Sequence, residues 1–152
     1  MTTLTPIGAH LLQRRIDHMH DLQAELGPHI AGEDPDPAAR EEWERLAVEI
    51  GSLQCALNEA DVRMPAPERF DGRVELGMRV LVEGPDGARE WVRPVDPLEA
   101  WLDAERISAH SPLSRALLGA RRGHRVWVAA PTGVWEATVV DIDPEPDFPA
   151  LP

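Results

Sequence analysis

The chain has no lysine, no tyrosine and a single cysteine. Without lysine, Schiff-base and lysine general-base chemistry are excluded, and the missing tyrosine removes another acid–base candidate. Cys55 alone cannot close an internal disulfide; it lies off the apolar stripe of its segment and reads as an inert thiol with no assigned role. No apolar run approaches the length of a membrane span, and no basic stretch followed by an apolar one opens the sequence, so no membrane partner and a cytoplasmic location are expected. Positive charge is scarce as well: fifteen basic residues, all arginine, face 27 acidic ones, for a net charge of −12. A duplex binder needs a basic footprint to displace counterions from phosphate, so sequence-specific DNA binding is not expected.

What is present begins with a helical pattern. Ala39, Trp43, Leu46, Ile50, Leu53, Leu57 and Ala60 alternate spacings of four and three, which is the seam of a coiled coil. Leu12, Met19 and Leu26 stand seven apart, with Ile7, Ile16 and Leu22 beside them, so a preceding helix has a matching stripe. Each stripe can cover the other, and an antiparallel helical hairpin over residues 1–62 is expected. Thr5-Pro6 and Asp36-Pro37 are helix starts, while Gly27-Pro28 and Gly32 are expected to stop the first helix. The second helix is expected from Pro37 to Asp61, about 37 Å at about 1.5 Å per residue. Between the helices lies an acidic loop, Gly32-Glu33-Asp34-Pro35-Asp36-Pro37, and the hairpin carries twelve acidic residues against four arginines. The tip at 32–37 is therefore the first candidate site, with Glu33, Asp34 and Asp36 as its carboxylates.

Residues 63–69, containing Arg63-Met64-Pro65-Ala66-Pro67, read as an extended linker. From Phe70 the period changes to two. Met78 to Val82 and Glu90 to Val95 flank the turn Gly84-Pro85-Asp86-Gly87, and His124 to Val128 and Val134 to Val140 flank Ala130-Pro131-Thr132-Gly133, giving two antiparallel pairs. Ser111-Pro112 starts a short helix, Leu113 to Leu118, closed by Gly119. A small α+β domain over 70–142 is expected. The acidic, proline-rich remainder, 143–152, reads as a flexible tail.

The run from Arg106 to Gly119, with Ser111-Pro112-Leu113 and Ala116-Leu117-Leu118-Gly119 within it, resembles the bacterial Gre transcript-cleavage factors. The order of hairpin, linker and this motif is similar too. The resemblance implies an antiparallel FKBP-like sheet domain with a short helix behind the coiled-coil hairpin. It implies a regulator of transcription elongation that binds bacterial RNA polymerase at its secondary channel, docks through the C-terminal domain at His110, Ser111 and Pro112, and directs the acidic tip toward the active-site magnesium. No cofactor is stably bound in that reading; Glu33 and Asp36 contact a magnesium ion shared with the polymerase, with Asp34 as a further oxygen donor. Any hydrolysis then belongs to the polymerase and not to this chain, and transcript RNA is touched only in the complex. The family's tip resembles Gly-Asp-Leu-x-Glu-Asn-Ala-Glu-Tyr, whereas here two prolines are interleaved with the acids, and the hairpin is shorter by roughly 8 Å of reach. Modulation or inhibition is favoured on those grounds, with stimulated transcript cleavage as the alternative.

Plainer readings stand beside these. Loop acids are commonly just solvated, and Asp36 is explained by helix capping alone. His10, His18, His20 and His29 point to different helix faces and describe a polar surface, not a zinc site. Trp43 reads as a seam residue, and Trp91, Trp127 and Trp135 as core or sheet-face residues. Ser111 has no His/Asp partner pattern that would make it a nucleophile. A prolyl isomerase would need an aromatic-lined pocket, which Phe70 and Phe148 supply poorly. A dimerisation or adaptor arm remains open through Leu11 and Val48, although a monomer is expected.

Overall fold

The computed structural model describes residues 2–62 and 67–144. The expected linker over 63–66 and the tail from 145 onward lie outside the described residues. The described residues form two compact units, one comprising 9–61 with Thr2, the other Thr3–Gly8 with the described residues from Val62 onward.

In the first unit, helix α1 (Pro6–Ile30, whose first turn belongs to the second unit) and helix α2 (Pro37–Glu59) bury their stripes. Leu12, Ile16 and Met19 of α1 and Ala39, Leu46 and Ile50 of α2 are buried, while Leu22, Leu26, Leu53 and Leu57 are half-buried. The seam spacing thus marks the covered face. Gln23 donates from Nε2 to the Trp43 carbonyl at 3.2 Å, and Arg15 pairs with Glu49 at 3.0 Å across the two helices. These exposed polar links contribute little beside the apolar seam.

The first helix departs from expectation at its end. Gly27-Pro28 does not stop it; α1 runs on to Ile30 with Pro28 inside. Proline removes only its own N–H, and one more turn still closes because Ala31 N donates to Gly27 O at 3.0 Å. The stop comes at Gly32, whose φ of +124° is readily reached only by glycine. α2 ends at Glu59, two residues before the expected Asp61.

The second unit is a five-stranded sheet: β1 (Arg79–Glu83), β2 (Arg89–Val95), β3 (Arg106–Ser108), β4 (Arg125–Ala130) and β5 (Gly133–Asp143), in the order β3-β2-β1-β5-β4. The two expected hairpins are joined through the antiparallel pairing of β1 with β5. Their turns fall where glycine permits them: Gly84 N donates to Ala88 O across the first, and Gly133, at φ +137°, follows Pro131-Thr132 in the second. A bulge between Leu81 and Val82 in the β1–β5 register leaves Val140 without a direct partner. One strand of this sheet was not expected. β3, the start of the Gre-like run, adds to β2 in parallel, so the sheet is antiparallel except at that edge.

The sheet's inner face, Val80, Val82, Val92, Val128, Ala137, Val139 and Ile142, packs with Val74, Met78, Ala120 and Leu117 of helix α3 (Pro112–Leu117). Burying each aliphatic side chain of this size is worth about 1.5–3 kcal/mol, so the core dominates this unit's stability. Asp143, assigned above to the tail, is the last residue of β5, and Pro67–Arg69 of the expected linker form a single 3-10 turn.

Candidate functional site

The tip is built by helix capping. Asp36, at φ −75° and ψ 115°, is the N-cap of α2: its Oδ1 accepts from Ala38 N at 3.0 Å, and Pro37 takes the first helical position. Asp36 N donates back to His29 O at 2.9 Å, which closes the loop between the helices. Glu33, Asp34 and Asp36 are all exposed. Glu33 and Asp34 engage no other described residue, so both carboxylates are unspent, whereas one oxygen of Asp36 is committed to its own helix. The structure therefore brings the three expected acids onto one short loop but gives Asp36 a second duty.

Below the loop, Trp43 does not sit inside the seam as its spacing suggested. It is 40% exposed. With Gly27, Ile30, Ala31, Arg40 and Glu44 it lines a shallow groove of about 360 Å³. The seam position is kept, but the groove leaves the indole partly open.

The second candidate set lies in the other unit. Ser111 is the N-cap of α3, its Oγ accepting from Ser114 N at 3.3 Å, with Pro112 following at the first helical position. His110 is held by its N–H on Ser108 Oγ at 3.1 Å, and Gly119 ends the helix at φ +85° with its N–H on Val74 O. His110 and Pro112 are exposed. Beside them, Pro112, Arg115, Ala116, Trp127 and Ala129 line a groove of about 240 Å³. Trp127 is 67% exposed, so it is a sheet-face residue on the open side. Its parity with Arg125, opposite to that of Val126 and Val128, carries that signal in the sequence.

One feature was missed altogether. Glu99, 1% exposed, accepts from Thr5 N at 2.9 Å and from Thr5 Oγ1 at 2.6 Å, and pairs with buried Arg106 at 3.4 Å. Thr5 Oγ1 in turn accepts from Gly8 N at 3.0 Å, the N-cap bond of α1. Burial pushes the Glu99 carboxyl above its ordinary range, more strongly than the Thr5 hydrogen bonds and the Arg106 charge lower it. Asp103, also bonded to Arg106, moves the other way: desolvation is the largest single influence and raises it, but the Arg106 backbone N–H, the Arg106 guanidinium and the Glu105 N–H together hold it below the usual carboxylate range.

Among the described residues no group of three or more His, Cys, Asp or Glu is arranged to hold a metal ion, and no helix is long and apolar enough to cross a membrane. Oxygen donors such as Glu33 and Asp34 suit a hard cation, but two exposed carboxylates supply too few ligands to keep one alone.

Residues 69–144, half of the chain, match the family described as "Transcription elongation factor, GreA/GreB, C-term". Transcription elongation factor GreA of Psychrobacter arcticus is 32% identical over 106 residues, covering 69% of this chain and 67% of that one. GreA of Thermosipho africanus is 28% identical over 147 residues, covering 91% and 94%. Among solved structures, Thermus aquaticus Gfh1 is 29% identical, with 94% and 98% of the two chains covered and a TM-score of 0.43. With half of its length inside the family's C-terminal domain and a relative of that identity spanned over two thirds, the chain belongs to the GreA/GreB family of transcription elongation factors.

Proposed function

We propose that this elongation factor binds bacterial RNA polymerase at the secondary channel and presents the hairpin tip to the polymerase active centre, where it modulates or inhibits transcription. The C-terminal unit docks through His110, Ser111 and Pro112. The tip then offers Glu33, Asp34 and Asp36 to a magnesium ion held by the polymerase. The chain is no catalyst of its own in this reading; it acts in the cytoplasm as a monomer and meets transcript RNA only within the complex.

The observation that supports the tip's role best is the unspent state of Glu33 and Asp34, two exposed carboxylates on a loop fixed at both ends by helix geometry. A carboxylate brought to a shared ion can assist or misplace the attacking water, depending on geometry. Asp36 supports the inhibitory side of the choice. With Oδ1 on Ala38 N, it has one oxygen left for an ion, and Pro35 and Pro37 hold its backbone on either side.

The test is a backtracked elongation complex with magnesium, scored for both transcript shortening and nucleotide addition. Slowed addition without shortening is expected at high factor concentration. Replacing Glu33, Asp34 and Asp36 together by alanine should abolish the effect while preserving association. Loss of association instead would assign the acids to docking, and transcript shortening by the unaltered protein would replace inhibition with stimulated cleavage.

A further inference from the structure

Resting on the polymerase-binding reading, we infer that Trp127 and Arg115 form an anchor beside the docking loop that takes an anionic, apolar-ridged protein surface of the polymerase. Trp127 lies mid-strand in β4, yet 67% of it is open. Its indole N–H has no partner among the described residues, in contrast to Trp101, which donates to Leu98 O. A large indole left open on a regular strand contributes nothing to the fold's core. It is the residue type most enriched among interface anchors.

The surroundings specify the partner. Ala129 and its register partner Val134, the latter 66% exposed, extend the apolar surface, and Pro112 and Ala116 form the groove's helical wall. Arg115 lines the same groove and makes no ion pair among the described residues, whereas Arg122 pairs with Asp141 and Arg125 with Glu136. On a chain of net charge −12, a cation without an ion pair among the described residues, set beside an open indole, selects a surface that brings an acid and an apolar knob together. The indole N–H supplies a further donor for that acid. Pro112 belongs both to this groove and to the docking loop, so one partner can cover the two at once.

The test is binding of the full-length protein to immobilised bacterial core RNA polymerase, comparing wild type with Trp127→Thr and Arg115→Glu. Threonine keeps the strand preference, and unchanged circular dichroism and melting temperature establish that each variant folds. Trp127→Thr should weaken binding by about tenfold or more. Arg115→Glu should weaken it most at low salt. A smaller loss for Trp127→Thr, with wild-type binding intact, overturns the anchor and leaves the proposed function standing. Absence of wild-type binding removes the proposed function and the anchor together. Trp127-dependent self-association in sedimentation also overturns the inference, because the occupant would then be a second copy of the chain.

Discussion

Replacing Gly8 by alanine should destabilise the C-terminal unit even though it improves helix propensity. Gly8 is the third residue of α1, where alanine ordinarily gains about 1 kcal/mol over glycine. A Cβ built there stands 2.3 Å from Glu99 Oε2, 2.4 Å from its Cδ and 2.7 Å from Oε1. A carboxylate at the end of a side chain can commonly swing away at little cost, but this one is 1% exposed and both oxygens are engaged, Oε2 by Thr5 N and Oε1 by Thr5 Oγ1 and Arg106 Nε. Moving it sacrifices hydrogen bonds to a buried charged group, worth about 1.5–3 kcal/mol each, or else forces the backbone apart at about 1–3 kcal/mol. Even one lost hydrogen bond exceeds the propensity gain, so Gly8→Ala should lose about 0.5–2 kcal/mol net.

The measurement is urea denaturation followed by tryptophan fluorescence in a Trp43→Phe background, so that the four remaining tryptophans, Trp91, Trp101, Trp127 and Trp135, report on the second unit. Gly51→Ala is the control. It lies within α2 with nothing within 4 Å of its built Cβ, and the substitution should stabilise the hairpin by up to about 1 kcal/mol, read by far-ultraviolet circular dichroism. If Gly8→Ala were as stabilising as Gly51→Ala, the Glu99 carboxylate would not lie over the first turn of α1, and the account of that buried cluster would be wrong.

Asp36→Ala should cost the hairpin about 1 kcal/mol through the lost N-cap, whereas Asp36→Asn should keep the cap and remove the charge; a change in transcription activity with Asp36→Asn at unchanged melting temperature separates the two duties of this residue. Ser111→Ala should likewise cost about 1 kcal/mol through the cap of α3, detectable as a lower urea midpoint of the second unit. The pH dependence follows from the two shifted acids. Glu99 has a raised value when folded, so the folded form holds its proton more readily; its contribution is fully present below about its ordinary 4.5 and is lost as pH rises through the folded value. Asp103 has a lowered value, so its contribution is present above its ordinary 3.8 and is lost as pH falls through the folded value. Stability of the second unit measured against pH should therefore decline on the alkaline side of 4.5, and Glu99→Gln should flatten that decline while leaving the acid limb.

The features legible in the sequence are those whose cause is local. Asp36-Pro37 and Ser111-Pro112 were readable as helix starts because a cap bonds within three residues, and both form as expected. The turns at Gly84–Gly87 and Ala130–Gly133 were readable because glycine conformation and proline φ act where they stand. The exposure of Trp43 was not, since it depends on what the other helix presents to that stretch of the seam, and neither was strand β3, whose three residues are too few to show a period and are held by parallel pairing to β2. Pro28 misled because a breaker within a helix's last turn costs less than one in the middle.

The Glu99 cluster marks the limit of such reading most clearly. Thr5 and Glu99 are separated by 94 positions, and no spacing rule joins a helix cap to a carboxylate that far along the chain. The only trace is Gly8, a poor helix former where a better one would be expected, and its reason is the acid pressed against it. The tip shows the opposite relation between sequence and structure. Glu33 and Asp34 have no structural duty among the described residues, so neither capping nor packing accounts for acids at those two positions, whereas Asp36 is accounted for by its cap. Selective replacement of Glu33 and Asp34, with Asp36 retained, is therefore the cleaner probe of the tip: it should remove the effect on transcription while the melting temperature of the hairpin stays within about 1 °C, because surface substitutions away from caps and core cost little. A lower melting temperature would show that these acids hold the loop, and full retention of activity would leave Asp36 or plain occlusion of the channel as the source of the effect.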